Sequence, residues 1–308
     1  MTAARVPEPT ENQRSEWSKM SANGSIHERT YRWPDGKRSA AAFSIDFDGE
    51  TPYLWRTRHA PSSAIAELEQ RAFGPRQGIY RILEMLAHLE IRASVFIPGW
   101  IADKYPEAVE AIAAGGHEIG LHGYLHENVQ ALSTEEIEET IVQGKEAIER
   151  IIGPRPMGYR SPSWELTPQT IELLKRHGIL YDSSLMGFDH PYWIDGLPEV
   201  PVQWLLDDAI YFRFFGGYAG PPPTNPQMVT DLWRQEFEGI KRFGGLFLLT
   251  VHSWLSGRGS RILALEKMLS KMREDPEIWW ATCAEIAAYH SQHYVGQFHV
   301  STKEWQHD

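Results

Sequence analysis

The chain has 308 residues, 42% hydrophobic and 23% charged, with a formal net charge of -11. That length allows one large α/β domain or two average ones, and the acidic balance argues against non-specific binding to nucleic acid or to an anionic membrane surface. The single cysteine, Cys283, excludes an internal disulfide framework and a cysteine-rich zinc module, and reads as a small buried hydrophobe. The first twenty residues carry no apolar core of signal-peptide type, and no apolar run approaches membrane-spanning length. The expected location is cytoplasmic, with neither a nucleic acid nor a membrane as partner.

Residues 1–35 are polar and aperiodic and contain Pro7, Pro9 and Pro34; they read as an arm, flexible or draped over the body. Residues 40–45 form an apolar run suited to a buried strand, ending in Asp46-Phe47-Asp48-Gly49. The period of two along a strand puts Asp46 and Asp48 on one side. Residues 51–77 read as a long loop with a short helix. Ile79, Leu83, Leu86 and Leu89 follow helical spacing up to a strand at 93–97, broken by Pro98-Gly99-Trp100. A helix over 106–114 has Pro106 in its first turn and ends at Gly115-Gly116; a strand over 117–121 then delivers His122.

Ser133 and Glu136 form a capping box ahead of a helix that stops at Gly153-Pro154, and the acidic run Glu135-Glu136-Glu138-Glu139 is its solvated face. Residues 159–162 form a strand end. Thr167 caps a helix that begins at Pro168 and closes at Gly178, and residues 179–181 lead into Asp182. A strand is expected over 199–206. The glycine- and proline-rich stretch 214–226 is long enough to be a lid. Helices over 229–243, 260–273 and 283–290 and strands over 246–251 and 279–281 complete the body, with His252 directly after the first of these strands. The predicted organisation is one catalytic domain over 36–295, with 296–308 as a tail.

Strand and helix alternate throughout, which calls for a parallel sheet. Asp46, Asp48, His122, Arg160 and His252 all follow strands at their carboxyl ends, and in a parallel barrel those ends share the face on which sites are built. His122 and His126, four positions apart, would share a face if their segment turns helically. With Asp48 they would make a two-histidine, one-carboxylate set suited to one divalent metal. In a chain with 13 histidines, two ordinary loop histidines remain the alternative to that set.

Five motifs, FSIDFDGE, GGHEIGLHGYLHENV, GYRSPSWELT, YDSSLMGFDHPYWI and FLLTVHSWLSGR, stand in one order between residues 40 and 288. In them the sequence resembles the polysaccharide deacetylase superfamily, also called the NodB-homology or carbohydrate esterase family 4 group. It is most similar to the branch of the Helicobacter-type peptidoglycan deacetylase, the allantoinase-like proteins and the cyclic imidases. The resemblance implies a distorted (β/α) barrel of NodB type with fewer than eight regular strands. It also implies Asp48, His122 and His126 as ligands of one divalent metal, Asp46 as general base, Arg160 as its orienting partner and His252 as general acid. Zn2+ fits that ligand set, and other first-row metals share the ligand types.

The chemistry of such a site is hydrolysis of a non-peptide carbon–nitrogen amide bond by activated water, with an aspartate taking a proton and a histidine giving one to the departing amine. The substrate expected is a small-molecule amide or an N-acetylated glycan fragment. A cyclic imide or ureide is the alternative, and a homo-oligomer is compatible with either. Two other classes are a non-catalytic metal-binding module on the same scaffold and a non-haem iron oxygenase, which shares the ligands and lacks the remaining motifs. Phe47 separates two aspartates that many relatives carry side by side, and Ser253-Trp254 stands where the branch often has His-Pro. Trp164, Trp254, Tyr124 and Pro162, with the stretch 214–226, are the expected pocket walls, and a narrow aromatic pocket would suit a small ring better than a long glycan. Asp182 is expected to shape its turn, and His117 to pack beneath the ligand loop.

Overall fold

A computed structural model of the chain describes residues 31–60, 64–216 and 220–305. Residues 1–30 of the expected arm and 217–219 of the expected lid lie outside the described residues.

Ten strands pair among the described residues: β1 (Ser39–Asp46), β2 (Ser94–Ile97), β3 (Glu118–Leu121), β4 (Gly158–Tyr159), β5 (Tyr181–Asp182), β6 (Tyr192–Ile194), β7 (Leu197–Glu199), β8 (Leu246–Val251), β9 (Ile278–Trp280) and β10 (His299–Val300). The order is β10-β6-β7-β5-β4-β3-β2-β1-β8, and β9 also pairs with β1. The run β8-β1-β2-β3-β4-β5-β7 is parallel throughout. It curls into a half-barrel ringed by helices, the distorted barrel with fewer than eight regular strands. After β7 the chain crosses to β8, where Asp207 makes a single parallel bridge with Thr250.

Every residue of β1 is buried, and its two faces differ in chemistry. Phe43, Ile45 and Phe47 belong to the main apolar core, each contributing about 1.5–3 kcal/mol by leaving water. Ser44, Asp46 and Asp48 alternate with them and are buried too, so strand periodicity alone carries a polar file along the barrel interior to the carboxyl end of β1. Helices cover the other face. Thr134–Ile152 starts in the capping box of Ser133 and Glu136, and Pro168–Arg176 starts where the Thr167 side chain accepts from the Thr170 amide.

Three expectations need correction. Residues 51–78 are helical for most of their length, as Thr51–Thr57, Ile65–Phe73 and a π-helical turn, Gly74–Gly78. The run of strong helix formers Ala64-Ile65-Ala66-Glu67-Leu68-Glu69-Gln70-Arg71 explains the second of these. The strand expected over 199–206 ends at Glu199 and gives way to a 3-10 turn, Trp204–Leu206. Its partner is the antiparallel β6, joined by Asp195 and Gly196 at φ of 45° and 81°, a two-residue Asp-Gly turn whose twist matches the strands it connects. Within the stretch read as a tail, β10 pairs with β6.

Candidate active site

The polar file of β1 opens into the site. Asp48 follows the strand, and His122 follows β3, two strands away. The segment between His122 and His126 is not helical, contrary to the expectation from their spacing. It is a loop in which His126 itself sits at φ 60°, an unfavourable conformation for a side-chain-bearing residue, found mostly where function requires it. Glu127 holds this loop by accepting from the amides of Tyr124 at 2.9 Å and Leu125 at 2.6 Å. The two imidazoles meet edge to face, 5.2 Å between centroids. His122 Nε2 lies 3.3 Å from Asp48 Oδ1, and His126 Nε2 lies 3.6 Å from Asp48 Oδ2.

These three side chains fit one divalent ion. Their ligand atoms lie within 4.8 Å of one another. Asp48 Oδ1 is buried with no hydrogen-bond partner among the described residues, a costly state that a cation would relieve. His122 Nδ1 donates to the Arg160 carbonyl at 2.7 Å, which leaves the Nε2 lone pair facing Asp48. Burial, against the pull of the Asp48 charge, lowers the His126 pKa to about 4 and keeps that ring neutral. Asp48 itself is held well below the usual carboxylate range: burial would raise it, but the neighbouring histidines, His126 foremost, outweigh that.

Arg160, at the end of β4, is completely buried and organises the second layer. Its Nε donates to the Ser183 carbonyl at 2.8 Å, Nη2 to Ser183 Oγ at 2.8 Å, and Nη1 to Ser44 Oγ at 2.9 Å and to Asp46 Oδ1 at 2.8 Å. The other oxygen of Asp46 accepts from Trp164 Nε1 at 3.1 Å. Burial would raise the Asp46 pKa, but the Arg160 guanidinium more than offsets this and the carboxyl is lowered. Trp164 reaches Asp46 from an uncommon backbone, since Ser163 and Trp164 both have positive φ, 59° and 57°. Its ring stacks on Trp204, with centroids 4.4 Å apart.

His252, after β8, points Nε2 toward Asp48 Oδ2 at 3.5 Å and donates from Nδ1 to Asp208 Oδ1 at 2.7 Å. Asp208 also accepts from the His252 amide and the Ser256 hydroxyl. Burial would lower the His252 pKa, but Asp207 and Asp208 carry it up to about 10. Burial pushes Asp207 up to about 7, against the pull of the His252 charge. Asp207, Asp208 and His252 also lie close enough to group around an ion, but the Asp208 carboxylate is already taken by hydrogen bonds from His252 and Ser256.

The helical turn Ser253–Ser256 that follows is seated by glycines. A Cβ on Gly78 would stand 2.1 Å from the Ser253 carbonyl oxygen, and one on Gly257 would stand 2.5 Å from the Gly78 Cα. Gly78→Ala should therefore destabilise the fold by about 1–3 kcal/mol and displace the turn that follows His252. Denaturant midpoints and the near-ultraviolet dichroism of Trp254 would report it, and an unchanged spectrum and midpoint would refute this account of the packing.

A cavity of ≈290 Å³ opens over Asp46, Asp48 and the three histidines, walled by Trp164, Trp204 and Trp254 among others. Tyr124 and Pro162, also expected as walls, do not line it: the Tyr124 ring packs on Gly99, and Pro162 lies against Gly123. His117 is structural, but it sits at the amino end of β3, accepting from the Ala93 amide at 3.0 Å rather than underlying the ligand loop. Asp182 does shape its turn, accepting from the Ser184 amide and hydroxyl. Burial and the neighbouring Asp182 carboxylate raise the Glu199 carboxyl well above its ordinary range. Sequence reasoning missed Asp207, Asp208, Trp204 and Arg71. Adjacent aspartates after the apolar stretch Val200-Pro201-Val202-Gln203-Trp204-Leu205-Leu206 were the available signal for the first two.

The family model described as polysaccharide deacetylase matches residues 73–181. The chain is 36% identical to a putative polysaccharide deacetylase of solved structure from Mycobacterium smegmatis, at a TM-score of 0.82, covering 85% of this chain and 94% of that one. The chain belongs to the polysaccharide deacetylase family. Among other relatives of this family member is the peptidoglycan deacetylase of Helicobacter pylori, 27% identical over 82% of this chain and 96% of that protein. The solved structure of the allantoinase Puue shares the fold at a TM-score of 0.73 and 21% identity, over 85% of this chain and 93% of that one. Peptidoglycan deacetylases among the relatives agree with the family expected from the motifs.

Proposed function

We propose that the protein is a metal-dependent hydrolase of a non-peptide carbon–nitrogen amide bond. The observation that carries this reading is the convergence of Asp48, His122 and His126, with an unpartnered buried carboxylate oxygen, beside Asp46 and His252 on one cavity. A divalent ion on those three ligands, Zn2+ by ligand type, would supply Lewis acidity and an acidified water. Asp46, kept ionised by Arg160 and held by the Trp164 indole, would accept a proton from an attacking water in the cavity. His252 faces the cavity through Nε2, and Asp208 fixes its Nδ1–H. The aspartates favour its protonated form, as a donor to the departing nitrogen requires.

The size and walls of the cavity favour a small cyclic imide or ureide over an extended glycan. A space of ≈290 Å³ between tryptophans matches a compact ring. The test sets chitin oligosaccharides against succinimide and hydantoin, with metal-loaded and chelator-treated protein. Ring opening that disappears on chelation and returns with added Zn2+ supports the small-ring reading. Acetate release without ring opening would reject that reading and keep the hydrolase. Failure of every amide, with no metal retained after gentle purification, would overturn the hydrolase itself.

A further inference from the structure

Arg71 is the unexplained charge of the site. It lies in the helix Ile65–Phe73 and lines the cavity that holds Asp48. It is only 3% exposed, its guanidinium lying against the stacked pair of Trp254 and Phe215, 4.8 Å and 5.0 Å from the two ring centroids. Aromatic faces suit a guanidinium, but they do not satisfy its N–H donors in the ring plane. Its one side-chain hydrogen bond among the described residues runs from Nε to Glu67 Oε1 at 3.3 Å, and that same oxygen accepts from Arg56 Nη2 at 2.8 Å. Neither terminal nitrogen of Arg71 has a protein acceptor among the described residues. A buried guanidinium with four idle N–H donors is costly, and the fork those donors form matches a carboxylate in two-point contact. Arg213 lines the same cavity and makes no ion pair among the described residues. Asp46 is balanced by Arg160 and Asp208 by His252.

We propose that Arg71 sets the specificity of this site by binding a carboxylate on the substrate, which makes the substrate class a small amide that also bears an anionic oxygen group. This rests on the hydrolase reading for the amide and on Arg71 alone for the carboxylate. The test titrates the full chain, metal-loaded and chelator-treated, with succinamate, which has one carboxylate and one amide, and with succinamide, its neutral counterpart. Calorimetry should find succinamate binding about tenfold tighter to the wild type, as a charge-assisted two-point contact implies. Arg71→Gln should bring the two ligands level, and Arg71→Lys should keep part of the difference, as a point charge without the fork. Equal affinities in the wild type, no binding of either ligand, or a preference untouched in Arg71→Gln would overturn the proposal. If Arg71→Gln fails to fold, the wild-type comparison and the lysine variant still decide. Asp48→Asn separates the two readings, because it should remove metal and any hydrolysis while leaving the Arg71-dependent preference in place.

Discussion

Arg160→Met should lower the unfolding free energy by about 3–5 kcal/mol, the cost typical of removing one partner from a buried ion pair. The side chains of Arg160 and Asp46 are 0% and 3% exposed, so water cannot replace the lost guanidinium. The substitution would strand Asp46 with the Trp164 indole as its remaining side-chain donor and would free the carbonyl and hydroxyl of Ser183 and the hydroxyl of Ser44. Urea midpoints at neutral pH measure this, provided the denaturant slope is unchanged. Adding Asp46→Asn should recover a large part of the loss, since the stranded charge goes with it, and the double-mutant cycle isolates the pair from the serine contacts. If Arg160→Met matched the double variant in stability, the stranded charge would not be the cause.

His252→Gln should reduce kcat by about 10²–10⁴, the range usual for a general acid, with KM nearly unchanged. Asp208→Asn should reduce it comparably by another route. The imidazole would survive, but without the carboxylate that fixes Nδ1–H and helps raise its pKa to about 10. The two variants differ in stability. Asp208 also accepts from the His252 amide and the Ser256 hydroxyl, so its loss should cost about 1–3 kcal/mol, more than the glutamine at 252. Steady-state kinetics on the amide that turns over, beside thermal melts, gives both readouts. A normal rate in His252→Gln would remove His252 from the chemistry.

The parts of the fold that announced themselves did so through local rules. Leu246–Val251 is a continuous apolar run and Pro106–Ala114 opens on a first-turn proline; both appear with the expected bounds. The box of Ser133 and Glu136 is in place as read. Errors arose where one local signal was set against another. The four-residue spacing of His122 and His126 suggested a helical turn, yet the loop reaches the same pairing through positive φ at Gly123 and His126, which spacing cannot express. The Asp195-Gly196 turn is a hairpin signal in the sequence, but the strands it joins have only three residues each, too short for alternation to mark them. Asp46, Asp48, His122 and His126 were legible because strand ends and motif order coincide. Arg71 was not, because its importance comes from burial against two aromatic rings from distant segments, and no pattern along the chain encodes that.

The bridge between Asp207 and Thr250 gives the barrel a seam one residue wide. The Asp208 amide closes it by donating to the Thr250 carbonyl at 3.2 Å, while the side chain of that same residue grips His252. Breathing at the seam should therefore loosen the imidazole as it lets solvent reach the backbone. The amide of Asp208 should exchange with deuterium sooner than those inside β1, which has partners on both sides. On warming, turnover should fade as that exchange quickens, several degrees before the core of the sheet melts. Heat tolerance of the activity would then be set at residues 207 and 208, and a staple across this seam would raise it without touching the core.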